Sequence, residues 1–320
     1  MKPNLSGNLP SEGPGDTPRN AARGGRTSAL RLAAGGGGGP WSNLDRPPLN
    51  AGALRRALLG EDGLWTELEV VDETGSTNTD LVERVRRGEA EEGTLLIAER
   101  QTAGRGRLDR GWVAPARSGL FFSFVLRPGP EIPVRRLGWL PLLAGVATAT
   151  ALSRAAGVDT ALKWPNDLLA TVDGEERKIG GILAERIGDL EHGAVVVGIG
   201  LNVSLRADEL PVPGAGSLLL AGAAGTDRDP LLRAVLRSID RWYRRWRDAE
   251  GDAAACGLQE TYAAGCATLG RQVRAELPGG TAEEGEAVAI DGDGQLVLNI
   301  GGGVLETVDA GDIVHLRPAG

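Results

Sequence analysis

From about residue 50 onward, apolar positions recur with regular periods, and the periods change along the chain. Residues 54–59 place apolar side chains on one helical face, and residues 67–72 alternate as a strand does. A helix is predicted over residues 76–87, with Thr77 and Asp80 at capping-box spacing. Strand-like runs follow at residues 94–99, 120–127, 161–164 with 167–170, 180–187 and 194–203. The longest apolar stretch, residues 137–152, is broken by Pro141, Thr148 and Thr150, so it reads as a buried helix over 139–156 and not as a membrane span. A second long helix is predicted over 229–250, with Pro230 at its first position. Its stripe of Leu232, Val235, Leu236, Ile239, Trp242, Tyr243 and Trp246 is read as core. Past residue 268, five short strands with Gly-rich turns are expected, at 272–276, 285–290, 295–300, 304–308 and 312–316. Such a run suffices for a small closed β-barrel. Hairpins mixed with helices predict an α+β chain built on a mixed sheet, not a doubly wound parallel one.

The first fifty residues have no such periodicity. They hold ten Gly and seven Pro, including five consecutive glycines at 35–39. A disordered tail over residues 1–50 is therefore expected, followed by a main domain over 51–267 and the small β domain over 268–320. Nothing in the tail provides the core that a helix-turn-helix needs, and it lacks the apolar core of a signal peptide.

Charge and rare residues narrow the chemistry. A net charge of −8 disfavours non-specific binding to nucleic acid or to a membrane surface. Two cysteines, Cys256 and Cys266, are too few for a disulfide framework, which suits a reducing cytosol. Two histidines, His192 and His315, leave no His-rich metal site. There is no Walker-type phosphate loop and no nucleophile elbow. The Asp-Gly-Asp-Gly run at 291–294 lacks the third ligand and closing Glu of a calcium loop, and reads as a hairpin turn. The basic residues comprise thirty-two Arg and only three Lys: Lys2, Lys163 and Lys178. GC-rich codon usage accounts for the arginines. Where a compact, mobile ammonium is required, however, Arg is no substitute. Lys163 and Lys178 are thus the first positions at which to look for chemistry.

Four motifs stand out. Residues 104–112 read GRGRLDRGW. Glycines let backbone N–H groups approach a ligand, guanidinium forks suit phosphate or carboxylate, and Trp112 can shield a planar ring. The glycine spacing is not that of a dinucleotide fold. Residues 163–167 read KWPND; Pro165 keeps Trp164 extended. This segment is either an ordinary turn or a convergence of Lys, Asn and Asp on a nucleotide and its magnesium ion. Residues 178–183 read KIGGIL, a cation beside bare backbone, and residues 198–203 read GIGLNV, an apolar strand ending on Asn202.

In this order, and with Ser76, Thr77 and Asn78 in the context GSTN, the four motifs resemble those of the biotin protein ligases over residues 60–317. The resemblance implies a catalytic domain like class II aminoacyl-tRNA synthetases and lipoate ligases, followed by an SH3-like barrel. It implies two steps: biotin and magnesium-ATP give biotinyl-adenylate, and a lysine of biotin carboxyl carrier protein then takes the biotinyl group. It implies that Lys178, Arg105, Arg107 and Arg110 are catalytic. Biotin is expected on Ser76, Thr77, Asn78, Gln101, Gly104, Arg105, Gly106, Arg107, Lys178 and Gly181. ATP is expected on Arg105, Arg107, Arg110, Trp112, Lys163, Asn166, Asp167, Lys178 and Asn202, with Asp167 as a magnesium ligand. Phe122, Phe124 and Ile182 are candidate pocket walls or, equally well, core residues. No tightly bound structural metal is expected, nor a nucleic-acid or membrane partner, and the chain is expected to be a cytoplasmic monomer or weak homodimer. Family members that also repress transcription carry a winged helix where this chain is Gly- and Pro-rich, so it resembles the monofunctional type. The alternatives are a lipoate or octanoyl ligase, whose family lacks the GRGRxxRxW loop, and a biotin-sensing regulator, which needs a DNA-binding domain.

Overall fold

The computed structural model describes residues 45–108, 110–188, 193–277, 280–309 and 311–316. The tail expected over 1–50 lies outside these residues except for its last part, 45–50. That part is packed. Arg46 is buried and donates to Glu209 at 2.9 Å. Leu49 is buried, and its N–H donates to Glu99 Oε1 at 2.6 Å. Glu99 also pairs with Arg228 at 2.6 Å, and Arg228 donates to the Pro47 carbonyl at 2.6 Å. A buried ion pair persists only when its remaining donors and acceptors are met. Residues 47 and 49 meet them, which local composition does not reveal.

The chain then runs α1 (Ala51–Leu58), β1 (Glu67–Val71), α2 (Thr77–Arg86), β2 (Thr94–Ala98), β3 (Gly104–Arg105), β4 (Gly111–Trp112) and β5 (Gly119–Leu126). Next come α3 (Trp139–Ala156), β6 (Thr160–Lys163), β7 (Asp167–Val172), β8 (Glu175–Ile187), β9 (Ala194–Asn202), α4 (Arg228–Asp248) and α5 (Leu258–Gly265). The last five strands are β10 (Gln272–Glu276), β11 (Ala282–Ile290), β12 (Leu296–Asn299), β13 (Leu305–Val308) and β14 (Asp312–His315). Seven strands form one mixed sheet in the order β1-β2-β5-β9-β8-β7-β6. Within it β1 and β2 are parallel and the remaining pairs antiparallel. This is the α+β architecture the periodicity predicts. The five C-terminal strands form an antiparallel sheet in the order β13-β12-β11-β10-β14.

Each face of the large sheet has its own core. Leu81 and Val82 of α2 pack with Leu96, Val125 and Val196 on one side. On the other side α3 and α4 cover Leu95, Phe122, Phe124, Val197 and Ile199. The predicted stripe of α4 is buried there, apart from Trp242, which is partly exposed. Pro230 is the third residue of α4 and not its first, still among the N–H groups that a helix leaves unpaired. Two indoles fasten the C-terminal sheet: Trp139 donates to the Gly292 carbonyl at 2.9 Å and Trp164 to that of Gly294 at 3.0 Å. The Asp-Gly-Asp-Gly run is the turn they grip, closed by Asp291 accepting from the N–H groups of Asp293 and Gln295 at 2.9 Å.

Two features escape the sequence pattern. Helix α5 is short, follows Gly257 and ends on Gly265, but it buries Leu258 and Tyr262. Strand β8 begins five residues before its predicted start, extended by a hairpin through Asp173 and Gly174. Both turn residues have positive φ, the signature of a type I′ hairpin.

Candidate active site

Eight segments far apart in sequence meet around one cavity of about 710 Å³. Its floor is a strip without side chains. Gly181 on β8 stands opposite Gly200 on β9, with Gly198 one pleat along. A Cβ at Gly198 would stand 2.3 Å from Asn78 Oδ1. At Gly200 it would stand 2.8 Å from the Trp112 ring, which lies on this floor.

Strand alternation alone forbids Lys178 and Gly181 from facing the same side, since they are three residues apart. The register of β8 against β7 slips between Leu168 and Leu169, leaving Ile179 as the extra residue. This bulge turns Lys178 onto the cavity face and Ile179 into the core. Lys178 Nζ then stands 2.6 Å from Asp167 Oδ1 and 5.7 Å from the Trp112 ring centroid.

The N-terminus of α2 forms one end. Ser76 is the helix cap, accepting from the Thr79 N–H at 3.5 Å, while Asp80 accepts from the Thr74 hydroxyl. The cap is therefore Ser76 and not Thr77. This frees the Thr77 hydroxyl, which lies 2.7 Å from Ser123 Oγ and 3.2 Å from Gln101 Oε1. Asn78 Nδ2 donates to Glu185 at 2.6 Å, which fixes the amide orientation. Its Oδ1 is buried without a partner.

The Arg-rich loop forms the roof, and each of its arginines rests on an acceptor. Arg105 pairs with Glu185 at 3.2 Å, Arg107 donates to the Gly311 carbonyl at 3.1 Å, and Arg110 pairs with Asp312. Burial lowers the Arg107 pKa. The KWPND segment turns between β6 and β7, with Lys163 opposite Asp167. Burial lowers the Lys163 pKa, against the pull of Asp167. Asn166 Nδ2 donates to the Ile182 carbonyl at 2.8 Å, and Asn202 Nδ2 to that of Gly216 at 2.9 Å. Both amides brace the cavity wall.

Ile182 lines the cavity, and so does every residue expected on biotin or ATP except Gly104. A Cβ there would stand 2.5 Å from the Trp112 carbonyl, so Gly104 lets the β3–β4 ribbon close. Phe122 and Phe124 are not walls. They point into the core on the far face, and Ser123 is the β5 side chain at the cavity. Ser123, Glu176, Glu185, Asp312 and His315 were not singled out by sequence. Ser123 did leave a signal, one polar residue inside an apolar strand. Asp312 and His315 left none, because they come from the C-terminal sheet. Among the described residues no group of three or more His, Cys, Asp or Glu side chains is arranged to hold a metal. No described helix is long and apolar enough to cross a membrane.

Comparison with known proteins agrees with this geometry. Residues 70–202 match the Biotin/lipoate A/B protein ligase family and residues 268–316 the Biotin protein ligase C terminal domain. A biotin–[acetyl-CoA-carboxylase] ligase of Mycobacterium tuberculosis is 43% identical over 275 residues, covering 85% of this chain and 97% of that protein. The chain belongs to the biotin protein ligase family. The bifunctional ligase/repressor BirA of Bacillus spizizenii is 33% identical and aligns over 80% of this chain and 75% of its own length. Among solved structures, a biotin protein ligase from Aquifex aeolicus in complex with biotin and ATP superposes with a TM-score of 0.63 at 28% identity. That match covers 79% of this chain and 100% of the other.

Proposed function

We propose that this cavity joins biotin to ATP and then delivers the biotinyl group to a lysine of a biotin carboxyl carrier protein. The observation that carries the reading is the convergence of the loop arginines, both mid-chain lysines and the α2 terminus on one glycine-floored cavity. In the first step the biotin carboxylate attacks the α-phosphorus of ATP, and pyrophosphate leaves. Two anionic groups must come within bonding distance, so fixed cations supply much of the catalysis. Lys178 is held between Asp167 and the Trp112 face, where a small charge reaches both reacting groups. Arg105, Arg107 and Arg110 exchange their present acceptors for phosphate and carboxylate oxygens, to which guanidinium forks bind well.

Ser76, Thr77, Asn78 and Gln101 receive the ureido ring of biotin. The unpartnered Asn78 Oδ1 is a ready acceptor for a ureido N–H. The bare strip at Gly181, Gly198 and Gly200 admits flat rings close to the backbone. Lys163, Asn166, Asp167, Lys178 and Asn202 serve the nucleotide, with Trp112 covering the adenylate. Magnesium commonly binds through one or two carboxylates plus substrate phosphates. Asp167 fits that donor set as a partner for the ion that accompanies ATP. In the second step the acceptor amine attacks the acyl carbon, a C–N bond forms, and AMP leaves with the C–O electrons. The two buried free cysteines suit a cytosolic setting.

The test is transfer of radiolabelled biotin to a carrier-protein fragment with ATP and magnesium. Labelling that needs all three components is the expected result. No biotin transfer, with lipoate passing to its own acceptor, would overturn the assignment.

A further inference from the structure

The KWPND turn is fixed from outside the catalytic sheet. Its Trp164 N–H is the last donor before Pro165, which has none, so this edge needs a special acceptor. On that edge the chain at 266–268 runs beside β6. Cys266 is bridged to Leu162, and the Ala267 N–H donates to the Leu162 carbonyl at 2.8 Å. Fully buried Thr268 then supplies the missing acceptor: its Oγ1 receives the Trp164 N–H at 3.1 Å.

The same oxygen lies 3.2 Å from His315 Nε2. The other ring nitrogen, Nδ1, lies 3.1 Å from Arg271 Nη1. A guanidinium only donates, so Nδ1 must carry a lone pair. The imidazole is therefore neutral, with its proton on Nε2, and it donates to Thr268. Burial, with the charges of Lys163 and Arg271, pushes its pKa down to about 4, in accord with this tautomer. Arg271 is held in turn by both Glu176 oxygens, at 2.6 and 2.8 Å. The chain of contacts thus runs from Glu176 on β8 through Arg271, His315 and Thr268 to the Trp164 backbone. His315 and Glu176 line the cavity as well.

We propose that Thr268 and His315 are positioning residues for the nucleotide, holding the turn that presents Lys163 and Asp167 to the triphosphate. The proposal rests on reading the cavity as the adenylation site. It assigns the junction with the C-terminal sheet a part in ATP binding and none in biotin binding, because the biotin-side groups on α2 share no hydrogen bond with this network.

The experiment is biotin-dependent ATP–pyrophosphate exchange, with the KM for ATP and for biotin measured separately. Thr268→Val keeps the shape and leaves the Trp164 N–H buried and unpaired, which should raise the KM for ATP about tenfold. The KM for biotin should stay within twofold, and Thr268→Ser should restore wild-type behaviour. His315→Ala, at a half-exposed position, tests the same link should Thr268→Val fail to fold. It should shift the KM for ATP in the same direction. An unchanged KM for ATP in both variants, or equal rises in both KM values, would overturn the proposal. An exchange-inactive wild-type enzyme would instead sink the underlying functional reading.

Discussion

Replacing Lys178 by Arg keeps the charge and changes its shape. In the native site the Lys178 Cε and Nζ run past bare Gly181, each 3.4 Å from where a Cβ would stand. The ammonium ends 2.6 Å from Asp167, under the Trp112 ring. A planar guanidinium is longer and wider. To reach Asp167 from the same backbone it must either displace Trp112 or move its charge centre by about an ångström. Misplacement of that order costs roughly 10²-fold when reacting groups must align. Loss of one preorganised contact to developing charge costs about 2.7–4 kcal/mol, or roughly 10²–10³ in rate. The ion pair itself adds little to folding. Lys178 is 38% exposed and Asp167 21%, so solvent screens the pair to at most about 1 kcal/mol, and Arg retains part of that. Lys178→Arg should therefore lower kcat for biotin-dependent ATP–pyrophosphate exchange at least 10²-fold while the melting temperature barely moves. Arg154→Lys, exposed in the last turn of α3, is the control and should leave both unchanged. Exchange rates within a few-fold of each other for the two variants would refute the argument that this position needs an ammonium.

Three further outcomes are expected. Gly200→Ala pushes a methyl group into the Trp112 ring and should weaken adenylate binding by about 1–3 kcal/mol, an overpacking cost. Adding Trp112→Ala should relieve that steric cost, so titration calorimetry on the double-mutant cycle should give a non-additive result; simple additivity would contradict the contact. Glu99→Ala strands the buried Arg228 guanidinium and should cost about 3–5 kcal/mol in urea unfolding, far more than loss of an exposed pair such as Arg100–Glu73. His315 has a pKa near 4 in the folded chain, against about 6.5 when unfolded. Between these values the unfolded chain binds the extra proton, so its contribution to stability is full above about pH 6.5 and is lost as pH falls towards 4. The melting-temperature gap between wild type and His315→Gln should therefore narrow from pH 7 to pH 4, and a gap independent of pH would contradict a neutral, partly buried imidazole.

Much of the site was legible because its chemistry is carried by residue types poorly suited to a core. Arginines interleaved with glycine, and two lysines in a chain that otherwise uses arginine, mark positions where packing does not dictate the choice. The same logic left Phe122 and Phe124 undecided between wall and core. Their apolar character fits a pocket wall and a core equally well, and only the pleat of β5 decides that Ser123 faces the cavity. Gly104 shows a related ambiguity: a glycine that admits a ligand and one that admits its own neighbouring strand look identical in one dimension.

The sequence alone settled the order of the main elements, the α+β class and the segments that meet at the cavity. Period, turn chemistry and residue type are local properties, and they survive without the fold. Tertiary structure decided which side chains meet. The bulge at Ile179 sets Lys178 and Gly181 on one face, against simple alternation. Residues 47 and 49 close the shell around the Glu99–Arg228 pair, Pro47 bonding Arg228 from 181 positions away and Leu49 bonding Glu99 from 50. Strand β14 brings Asp312 and His315 to a cavity otherwise built by the large sheet. Such contacts depend on register and on long-range pairing. A single chain encodes them only through the free energy of the whole packed structure, and no short window of residues carries that sum.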